Sequence, residues 1–219
     1  MSKGFWAIIA AVVLIFLGIV VFGGKDKAGA PSSKGGNSSQ LSQHVQGSGT
    51  TGVTLVEYGD FQCPYCLQYY PTVQQVVAEY GDKIKFQFRH FPLVQLHKNA
   101  FAASRSAEAA GKQGKFWEMY DKLYDSNNHS VWAESSDAVP YFEQYAKDLG
   151  LDMTKYKADF GSSVVNDTIN ADMAEGNKLG ITGTPTFFIN GKQTQIANSP
   201  EAFKKVIDAE IAKQSKQSN

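Results

Sequence analysis

Cysteine, histidine and net charge are all scarce in this chain. Only two of its 219 residues are cysteine and four are histidine, while Lys plus Arg and Asp plus Glu number 21 each. Two cysteines are too few for a secreted scaffold held together by several disulfides. Because the formal net charge is zero, no long-range field attracts nucleic acid. We therefore expect no nucleic-acid partner.

An uncharged apolar run from Phe5 to Gly24 dominates residues 1–24 and is flanked by Lys3 and Lys25. A run of this length can cross a bilayer core of about 30 Å. We interpret residues 1–24 as an uncleaved signal anchor that forms an N-terminal transmembrane helix. A cleaved signal peptide and a buried soluble helix are the alternatives. Lysine on both sides leaves the orientation open under the positive-inside rule.

Residues 25–52 are rich in Gly, Ser, Gln and Asn and nearly free of large apolar side chains. Such a composition buries too little surface to fold, so the segment is predicted to be a flexible linker. A linker of this kind spans about 30 Å on average. His44 lies within it and is predicted to be a solvated linker residue.

The pattern changes at Val53, where we place the start of a folded domain that runs to residue 215. The stretch VTLVEYGD is rich in β-branched and apolar residues before a Gly-Asp turn, which predicts a strand. Apolar residues between Cys66 and Tyr80 recur at helical spacing, and Lys83–Phe91 alternates as a second strand. Strand, helix and strand at this length predict a βαβ unit.

A helical insertion is predicted at about residues 95–180, with its aromatic residues forming the core of a subdomain. Apolar spacing predicts four helices, around Ala100–Ala110, Phe116–Tyr124, Tyr141–Leu149 and Val165–Met173. Beyond them, Thr186–Ile189 and a return strand flank an Asn190-Gly191 turn, which predicts a β-hairpin. Ser199 and Pro200 then start a last helix.

The two cysteines, Cys63 and Cys66, lie together in GDFQCPYC at the start of the first predicted helix. A zinc half-site is disfavoured because no second cysteine pair exists and His90, His97 and His129 lack ligand spacing. A purely structural disulfide is disfavoured because closing so short a loop removes little unfolded-chain entropy. Redox chemistry is therefore favoured, and we expect no bound metal ion.

The helix start predicts different roles for the two thiols. Partial positive charge and unpaired backbone N–H groups at a helix N-terminus stabilise a thiolate, so the pKa of Cys63 should be low. Cys66 lies almost one turn later on the apolar face, shielded yet close enough to attack a bond formed at Cys63. Cys63 is the predicted nucleophile and Cys66 the resolving thiol, in exchange through a mixed disulfide.

Four segments closely resemble the DsbA-like thiol–disulfide oxidoreductases: EYGDFQCPYC, FRHFPL, HKNAFAASRSAEAAGKQGKFWEMYDKLY and GITGTPTFFING. The likeness extends over roughly residues 53–212. It implies an α/β thioredoxin fold with an all-helical insertion. It also implies chemistry with no cofactor other than the redox-active disulfide Cys63–Cys66.

The resemblance further implies a substrate site around the redox pair. Thr184 and Pro185 match the family's cis-proline loop, which faces the cysteines and exposes its backbone to an extended substrate. Pro64 and Tyr65 would contact the substrate as well. The best-known oxidising members carry His where this chain has Tyr65, so the resemblance leaves the direction of electron flow open.

Glu57 stands six residues before Cys63, where thioredoxin-fold enzymes often carry a buried acid near the second cysteine. Burial would raise the pKa of its carboxyl, which suits proton exchange with Cys66. The alternative is a solvated carboxylate at a strand end. His90 and His97 also lie in family-like segments, and a structural role is predicted for both.

These features lead to the hypothesis of a membrane-tethered enzyme that exchanges disulfides on exported proteins, with disulfide-bond formation as the expected reaction. The resemblance implies a single-pass protein of the cell membrane with its catalytic domain outside the cytoplasm. Its partners would be exported proteins with cysteines and a membrane redox partner that regenerates the disulfide. A reductase or isomerase of the same fold is one alternative. A non-catalytic metallochaperone that binds metal through the two cysteines is another.

Overall fold

The computed structural model describes residues 40–217. The predicted anchor at residues 1–24 and the predicted linker up to residue 39 lie outside the described residues. Within residues 40–217, no helix combines the length and the apolar character needed to cross a membrane.

A mixed β-sheet forms the centre of the described domain. Its five strands are β1 (Val45–Gln46), β2 (Val53–Gly59), β3 (Ile84–His90), β4 (Thr186–Ile189) and β5 (Lys192–Gln193), in the order β1-β3-β2-β4-β5. β2 and β3 are parallel, with Leu55 opposite Phe86, and helix α1 (Pro64–Tyr80) connects them. The predicted βαβ unit is therefore confirmed. β4 lies on the other side of β2 and runs antiparallel to it.

Helix α1 begins at Pro64, because a proline at the first helical position has no N–H to leave unpaired and its φ already suits a helix. The helix buries one face, as the apolar spacing predicts. The buried residues are Cys66, Val73, Val76 and Tyr80. This face packs against the sheet, so the start of the helix is fixed relative to the end of β2.

The predicted helical insertion is confirmed between β3 and β4. Its helices are α2 (Ala100–Gly111), α3 (Phe116–Leu123), α4 (His129–Ala133), α5 (Val139–Asp148), α6 (Met153–Phe160) and α7 (Ser163–Lys178). Helices α4 and α6 were not predicted, because they are short and offer little periodicity. α6 buries only Tyr156, and its start is fixed by Asp152, whose side chain accepts hydrogen bonds from two backbone amides.

The predicted C-terminal hairpin and last helix are also confirmed. Asn190 and Gly191 have φ angles of 48° and 77°, as a two-residue turn between antiparallel strands requires. Helix α8 (Pro200–Gln217) follows. The Ser199 hydroxyl caps its first turn by accepting a hydrogen bond from the Ala202 amide at 3.2 Å.

One face of the sheet carries a core that continues into the helical insertion. Phe86 and Phe88 are two residues apart in β3 and so point to the same side. Phe86 packs with residues of α1 and α8, whereas Phe88 packs with aromatic residues of the insertion. The aromatic residues of this second cluster include Phe61, Phe116, Tyr120, Tyr124, Trp132, Phe142 and Tyr156. The prediction that the aromatic residues of the insertion form a subdomain core is confirmed for Phe116, Tyr120, Tyr124, Phe142 and Tyr145, whereas Tyr141 is exposed.

The predicted linker, residues 25–52, is wrong in the part that the structure describes. Val45–Gln46 pairs with β3 as an antiparallel edge strand. Ser42 is buried, and its backbone N–H and its hydroxyl donate hydrogen bonds to Asp172 at 3.0 Å and 2.5 Å. Composition was a poor guide because backbone and small polar groups, rather than apolar surface, hold this segment in place.

Asp172 of α7 is the buried acceptor that joins this segment to the sheet. Besides Ser42, it accepts hydrogen bonds from the backbone N–H of His90 at 2.9 Å and from the Arg89 guanidinium at 3.2 Å. Arg89 also donates to the carbonyl of Ser42. The carboxylate is fully buried, and it joins α7 to two other parts of the chain, the segment at Ser42 and the end of β3.

Asp172→Ala should destabilise the domain, because it leaves the Arg89 charge without its buried counter-ion and two buried amides without an acceptor. Removing one partner of a buried ion pair lowers the free energy of unfolding by about 3–5 kcal/mol. Urea denaturation followed by circular dichroism measures the loss. Asp167→Ala, at a partly exposed position of the same helix, is the matched control and should change stability by less than about 0.5 kcal/mol. Equal losses in the two variants would contradict the anchoring role of Asp172.

Candidate active site

Cys63 lies where the turn after β2 becomes helix α1. Its backbone N–H donates to the carbonyl of Asp60 at 3.0 Å, and its own carbonyl accepts from the Leu67 amide at 3.1 Å. Cys63 is the N-cap residue, with an extended ψ of 123°. The thiol is therefore at the helix N-terminus, as predicted, where backbone N–H groups have no partner within the helix.

Cys66 lies one turn further on and faces the aromatic cluster of the helical insertion. Its exposure is 1%, against 3% for Cys63, and neither thiol is in a disulfide. Between them, Pro64 and Tyr65 point outward, and Tyr65 is 64% exposed. Both thiols are therefore buried, but Cys63 lies at the helix start beside an exposed dipeptide, whereas Cys66 lies behind it against the aromatic cluster.

The loop before β4 faces Cys63 from the other side. The Thr184–Pro185 peptide bond is cis, as the resemblance implied. The Cys63 thiol donates to the carbonyl of Thr184 at 3.4 Å. A groove of about 190 Å³, lined partly by Pro185 and Tyr69, lies beside this loop. Because β4 pairs with β2, the sheet brings residues that are 121 positions apart into contact.

Glu57 points into the core, and the solvated alternative is wrong. Residues of β2 alternate in direction, so Glu57 shares the buried face of Leu55. Its exposure is 2%, and Oε2 has no hydrogen-bond partner among the described residues. Gly59 leaves room beside it, because a Cβ at this position would lie 2.4 Å from the Phe88 ring and 3.3 Å from Oε1 of Glu57.

Comparison with known proteins agrees with this geometry. The family model described as Thioredoxin matches residues 39–209. A thioredoxin-like oxidoreductase from Silicibacter pomeroyi DSS-3 superimposes with a TM-score of 0.64 at 27% identity, over 76% of this chain and 90% of that one. Alpha-DsbA1 from Wolbachia pipientis shares the fold, with a TM-score of 0.67 at 21% identity, over 82% of this chain and 97% of its own. The chain belongs to the thioredoxin family and is a DsbA-like thiol–disulfide oxidoreductase.

Curated relatives contain a segment similar to this chain within longer proteins. The Na(+)/H(+) antiporter NhaA 1 of Mycolicibacterium gilvum is 36% identical over 152 residues, which are 68% of this chain and 24% of the antiporter. An antiporter of the same name from Salinispora arenicola is 35% identical over 169 residues, 25% of its length. The chain spans about a quarter of the length of these relatives.

The electrostatics of the DsbA-like site separate the two thiols. A hydrogen bond from the Cys66 thiol is the largest influence on the pKa of Cys63 and lowers it, whereas burial opposes this effect. The Thr184 side chain and the backbone N–H groups of Cys66 and Tyr65 lower it further, so that the pKa falls from 9.0 to about 6. The Thr184 hydroxyl has no other partner among the described residues, which leaves it available to an ionised Cys63.

The pKa values of Cys66 and Glu57 are raised, in contrast to that of Cys63. Burial raises the pKa of Cys66 well above its usual value, and the hydrogen bond and charge of Cys63 add to the effect. Burial, and after it the charge of Cys63, raise the pKa of Glu57 to about 8. At neutral pH the site therefore holds a thiolate at Cys63, a thiol at Cys66 and a mostly protonated carboxyl at Glu57.

Asp60 was missed by the sequence reasoning, although it shapes the turn that carries Cys63. Its carboxylate accepts from the Gln62 and Leu93 amides, each at 2.8 Å, and lies 2.6 Å from Nδ1 of His97. The predicted structural role of His97 is consistent with this contact. Asp60 and His97 are 37 positions apart, so no local spacing pattern connects them.

Two tyrosine hydroxyls beside the buried thiol were also missed, because Tyr120 and Tyr124 were predicted only as core aromatics. Both residues are fully buried, and neither hydroxyl has a partner among the described residues. Burial raises the pKa of both phenols, and the charges of Cys66 and Glu57 raise it further. Their hydroxyls are polar groups within the otherwise apolar cluster around Cys66.

The thiolate of Cys63 should titrate with a midpoint near pH 6 in the reduced protein, measured by ultraviolet absorbance. Cys66→Ala removes the main hydrogen bond to the thiolate and should raise the midpoint by about one pH unit, the worth of one bond to a charged group. Because the folded pKa lies below the unfolded one, this thiolate stabilises the fold above about pH 9, and the contribution is lost as the pH falls through about 6. An unchanged midpoint in Cys66→Ala would show that the Cys66 thiol does not stabilise the Cys63 thiolate.

Glu57→Gln should remove a pH-dependent loss of stability. A carboxyl whose pKa rises from 4.5 to about 8 on folding destabilises the fold progressively between these pH values, by up to about 5 kcal/mol. The comparison is best made between Cys63→Ser and Cys63→Ser/Glu57→Gln, since Cys63 then does not titrate. Between pH 4 and pH 8 the double variant should gain stability relative to the single one. The gain should be smaller than about 5 kcal/mol, because the Cys63 charge that helps to raise the pKa of Glu57 is absent. Parallel pH profiles in urea denaturation would show that Glu57 is ionised throughout.

Proposed function

We propose that this protein forms disulfides in exported proteins, with Cys63 and Cys66 of the CPYC motif as the exchanging pair. The observation that carries the proposal is the asymmetry of the two thiols. The pKa of Cys63 is lowered to about 6, while that of Cys66 is raised by burial. At neutral pH a thiol of low pKa is ready to attack and is also the better leaving group.

The substrate site lies between the start of α1 and the loop before β4. The backbone of Thr184 faces Cys63, so an extended substrate segment can pair with it while the substrate cysteine reaches the thiol. Pro64 and Tyr65 are exposed beside Cys63 and contact the residues that flank this cysteine. Binding through backbone atoms accepts many sequences.

The exchange begins when a substrate thiolate attacks Sγ of Cys63 in the oxidised pair. A bond forms between substrate and Cys63 while the Cys63–Cys66 bond breaks, and Cys66 leaves as a thiolate that takes up a proton. A second substrate thiolate then attacks the substrate sulfur of this mixed disulfide and releases Cys63 as its stabilised thiolate. Two electrons pass from substrate to enzyme, and a membrane partner with a more oxidising disulfide removes them.

Glu57 holds the proton that Cys66 exchanges. With a pKa of about 8, its carboxyl is largely protonated at neutral pH and can donate to the leaving Cys66 thiolate. In the reverse step the carboxylate accepts the proton as Cys66 attacks the mixed disulfide. Oε2 of Glu57, which has no partner among the described residues, is the atom available for this transfer.

The direction of exchange follows from the stabilised thiolate. A stable Cys63 thiolate stabilises the reduced enzyme and makes its disulfide a stronger oxidant. Tyr65 is neutral and exposed, so it adds no positive charge beside the thiolate. We place the reduction potential between the glutaredoxins, at about −200 to −230 mV, and the strong oxidant DsbA, at about −120 mV.

We further propose that residues 1–24 anchor the chain in the cell membrane, with the catalytic domain outside the cytoplasm. The length of the apolar run from Phe5 to Gly24 supports an anchor. The relatives named as Na(+)/H(+) antiporters support a place at a membrane as well, because the similar segment is part of a membrane protein there. Antiport does not carry over, since this chain spans about a quarter of their length.

The mixed disulfide is the decisive intermediate. Cys66→Ser should accumulate disulfide-linked substrates, because the Cys63 thiolate can still attack a substrate disulfide whereas the Cys66 thiol that would release the bound substrate is missing. Non-reducing electrophoresis measures these adducts. Cys63→Ser is the matched control and should form almost none, since burial raises the pKa of Cys66 well above its usual value and leaves it a thiol at neutral pH.

A metallochaperone would form no adducts and would lose metal affinity in both variants. The absence of adducts in Cys66→Ser would therefore contradict the proposed thiol–disulfide exchange. The direction is decided by equilibrating the wild-type chain with glutathione. A reduction potential near that of thioredoxin, about −270 mV, would contradict the proposed oxidase function and indicate a reductase.

A further inference from the structure

His44, His90 and Glu108 converge on one point away from the two thiols. Nε2 of His44 lies 2.7 Å and Nε2 of His90 lies 2.8 Å from the same oxygen of Glu108, Oε1. One ligand atom from each residue lies within 4.8 Å of the others. The three side chains come from the segment before β1, from β3 and from α2, so only the fold brings them together.

The surroundings hold these side chains in place. The His44 ring stacks on Phe116, with 3.4 Å between ring centroids and 4° between planes. Gly111 leaves room for this ring, because a Cβ there would lie 3.2 Å from Cε1 of His44. His90 is fully buried and Glu108 is 5% exposed. The predicted solvation of His44 is therefore wrong, because its ring stacks on Phe116 and forms a hydrogen bond with Glu108.

The cluster pairs a buried anion with two imidazole nitrogens. Burial removes the Glu108 carboxyl from water, and its Oε1 faces one nitrogen of each imidazole. Two nitrogens aimed at one carboxylate need either a proton on each nitrogen or a shared cation, since bare lone pairs and a carboxylate repel one another.

Solvent reaches this cluster through a cavity on its outer side. The cavity has a volume of about 190 Å³ and is lined by residues that include Gln40, Ser42, His44, Glu108 and Thr168. It offers an entry path for an ion and room for a water molecule. Hydroxyl and amide groups on its wall suit a bound water.

We propose that His44, His90 and Glu108 bind a divalent transition-metal ion, with Zn²⁺ as the reference ion. Two histidines and a glutamate are a donor set that zinc accepts, with a water in the fourth position. Zinc–nitrogen distances of about 2.0–2.1 Å place tetrahedral ligand atoms about 3.3 Å apart. The present separations of 2.7 Å and 2.8 Å require only a small opening, and the partly exposed His44 can supply it.

The donor set also selects against other ions. Imidazole nitrogen suits zinc, copper, iron and nickel, whereas calcium and magnesium prefer sites made of oxygen. The bound ion would join the N-terminal segment to the sheet and to the helical insertion. It lies one aromatic ring from the active-site turn, because the centroids of His90 and Phe61 are 6.0 Å apart. This site uses neither cysteine and goes beyond the proposed exchange activity.

Zinc titration of a thiol-free chain tests the proposal. The parent is the full chain with Cys63→Ser and Cys66→Ser, in mild detergent, so that the thiols cannot bind the ion. Isothermal calorimetry should show one Zn²⁺ per chain, and zinc should raise the melting temperature. In the same parent, Co²⁺ should give the visible absorption of a tetrahedral site.

Ligand variants decide whether the ion sits at the cluster. His44→Ala and Glu108→Gln should each weaken zinc binding by at least about 100-fold, since loss of an outer-shell partner alone costs about 10–100-fold. Glu118→Gln, at a partly exposed glutamate that pairs with Lys115, is the matched control and should bind like the parent. If Glu108→Gln does not fold, His44→Ala alone decides. No zinc binding by the parent, or parent-like affinity in folded His44→Ala, would overturn the proposal.

Discussion

The stabilisation of negative charge on Cys63 is the interaction on which the rest of the active site depends. The thiol sits at the start of α1 and receives hydrogen bonds from Cys66 and from backbone N–H groups. Burial raises the pKa of Cys66 and Glu57, and the Cys63 charge raises both further. Burial and the neighbouring thiolate together keep these two groups protonated. This arrangement separates the attacking sulfur from the resolving sulfur.

The sheet brings the residues of the active site together. β2 supplies Glu57 on its buried face and ends in the turn that carries Cys63, while β4 brings Thr184 to the outer side of the thiol. The helical insertion then covers the inner side with aromatic rings, so Cys66 is removed from water. Burial raises the pKa of a carboxyl or a thiol because it disfavours the charged form. The insertion is thus part of the redox chemistry as well as of the core.

Polar contacts, by contrast, hold the N-terminal part of the domain. Ser42, Arg89 and Asp172 form a buried network in which each charge or amide has a partner. His44 occupies a stacked seat beside Glu108 in the same region. Low hydrophobicity normally indicates disorder, yet here the needed partners come from distant helices. A buried carboxylate can order a glycine- and serine-rich segment when it replaces water for several donors at once.

The sequence by itself determined the elements whose signals are local. Strand alternation, the helix after Pro64, the Asn190-Gly191 turn and the paired cysteines all follow from the spacing of neighbouring residues, and the DsbA-like resemblance added the facing Thr184–Pro185 loop. Tertiary structure alone decided that Asp60 meets His97, that Tyr120 and Tyr124 surround the buried thiol, and that residues 41–46 belong to the domain. These contacts join residues tens of positions apart. Their energies come from burial and from hydrogen bonds that exist only once the sheet and the insertion have packed together, so no local pattern encodes them.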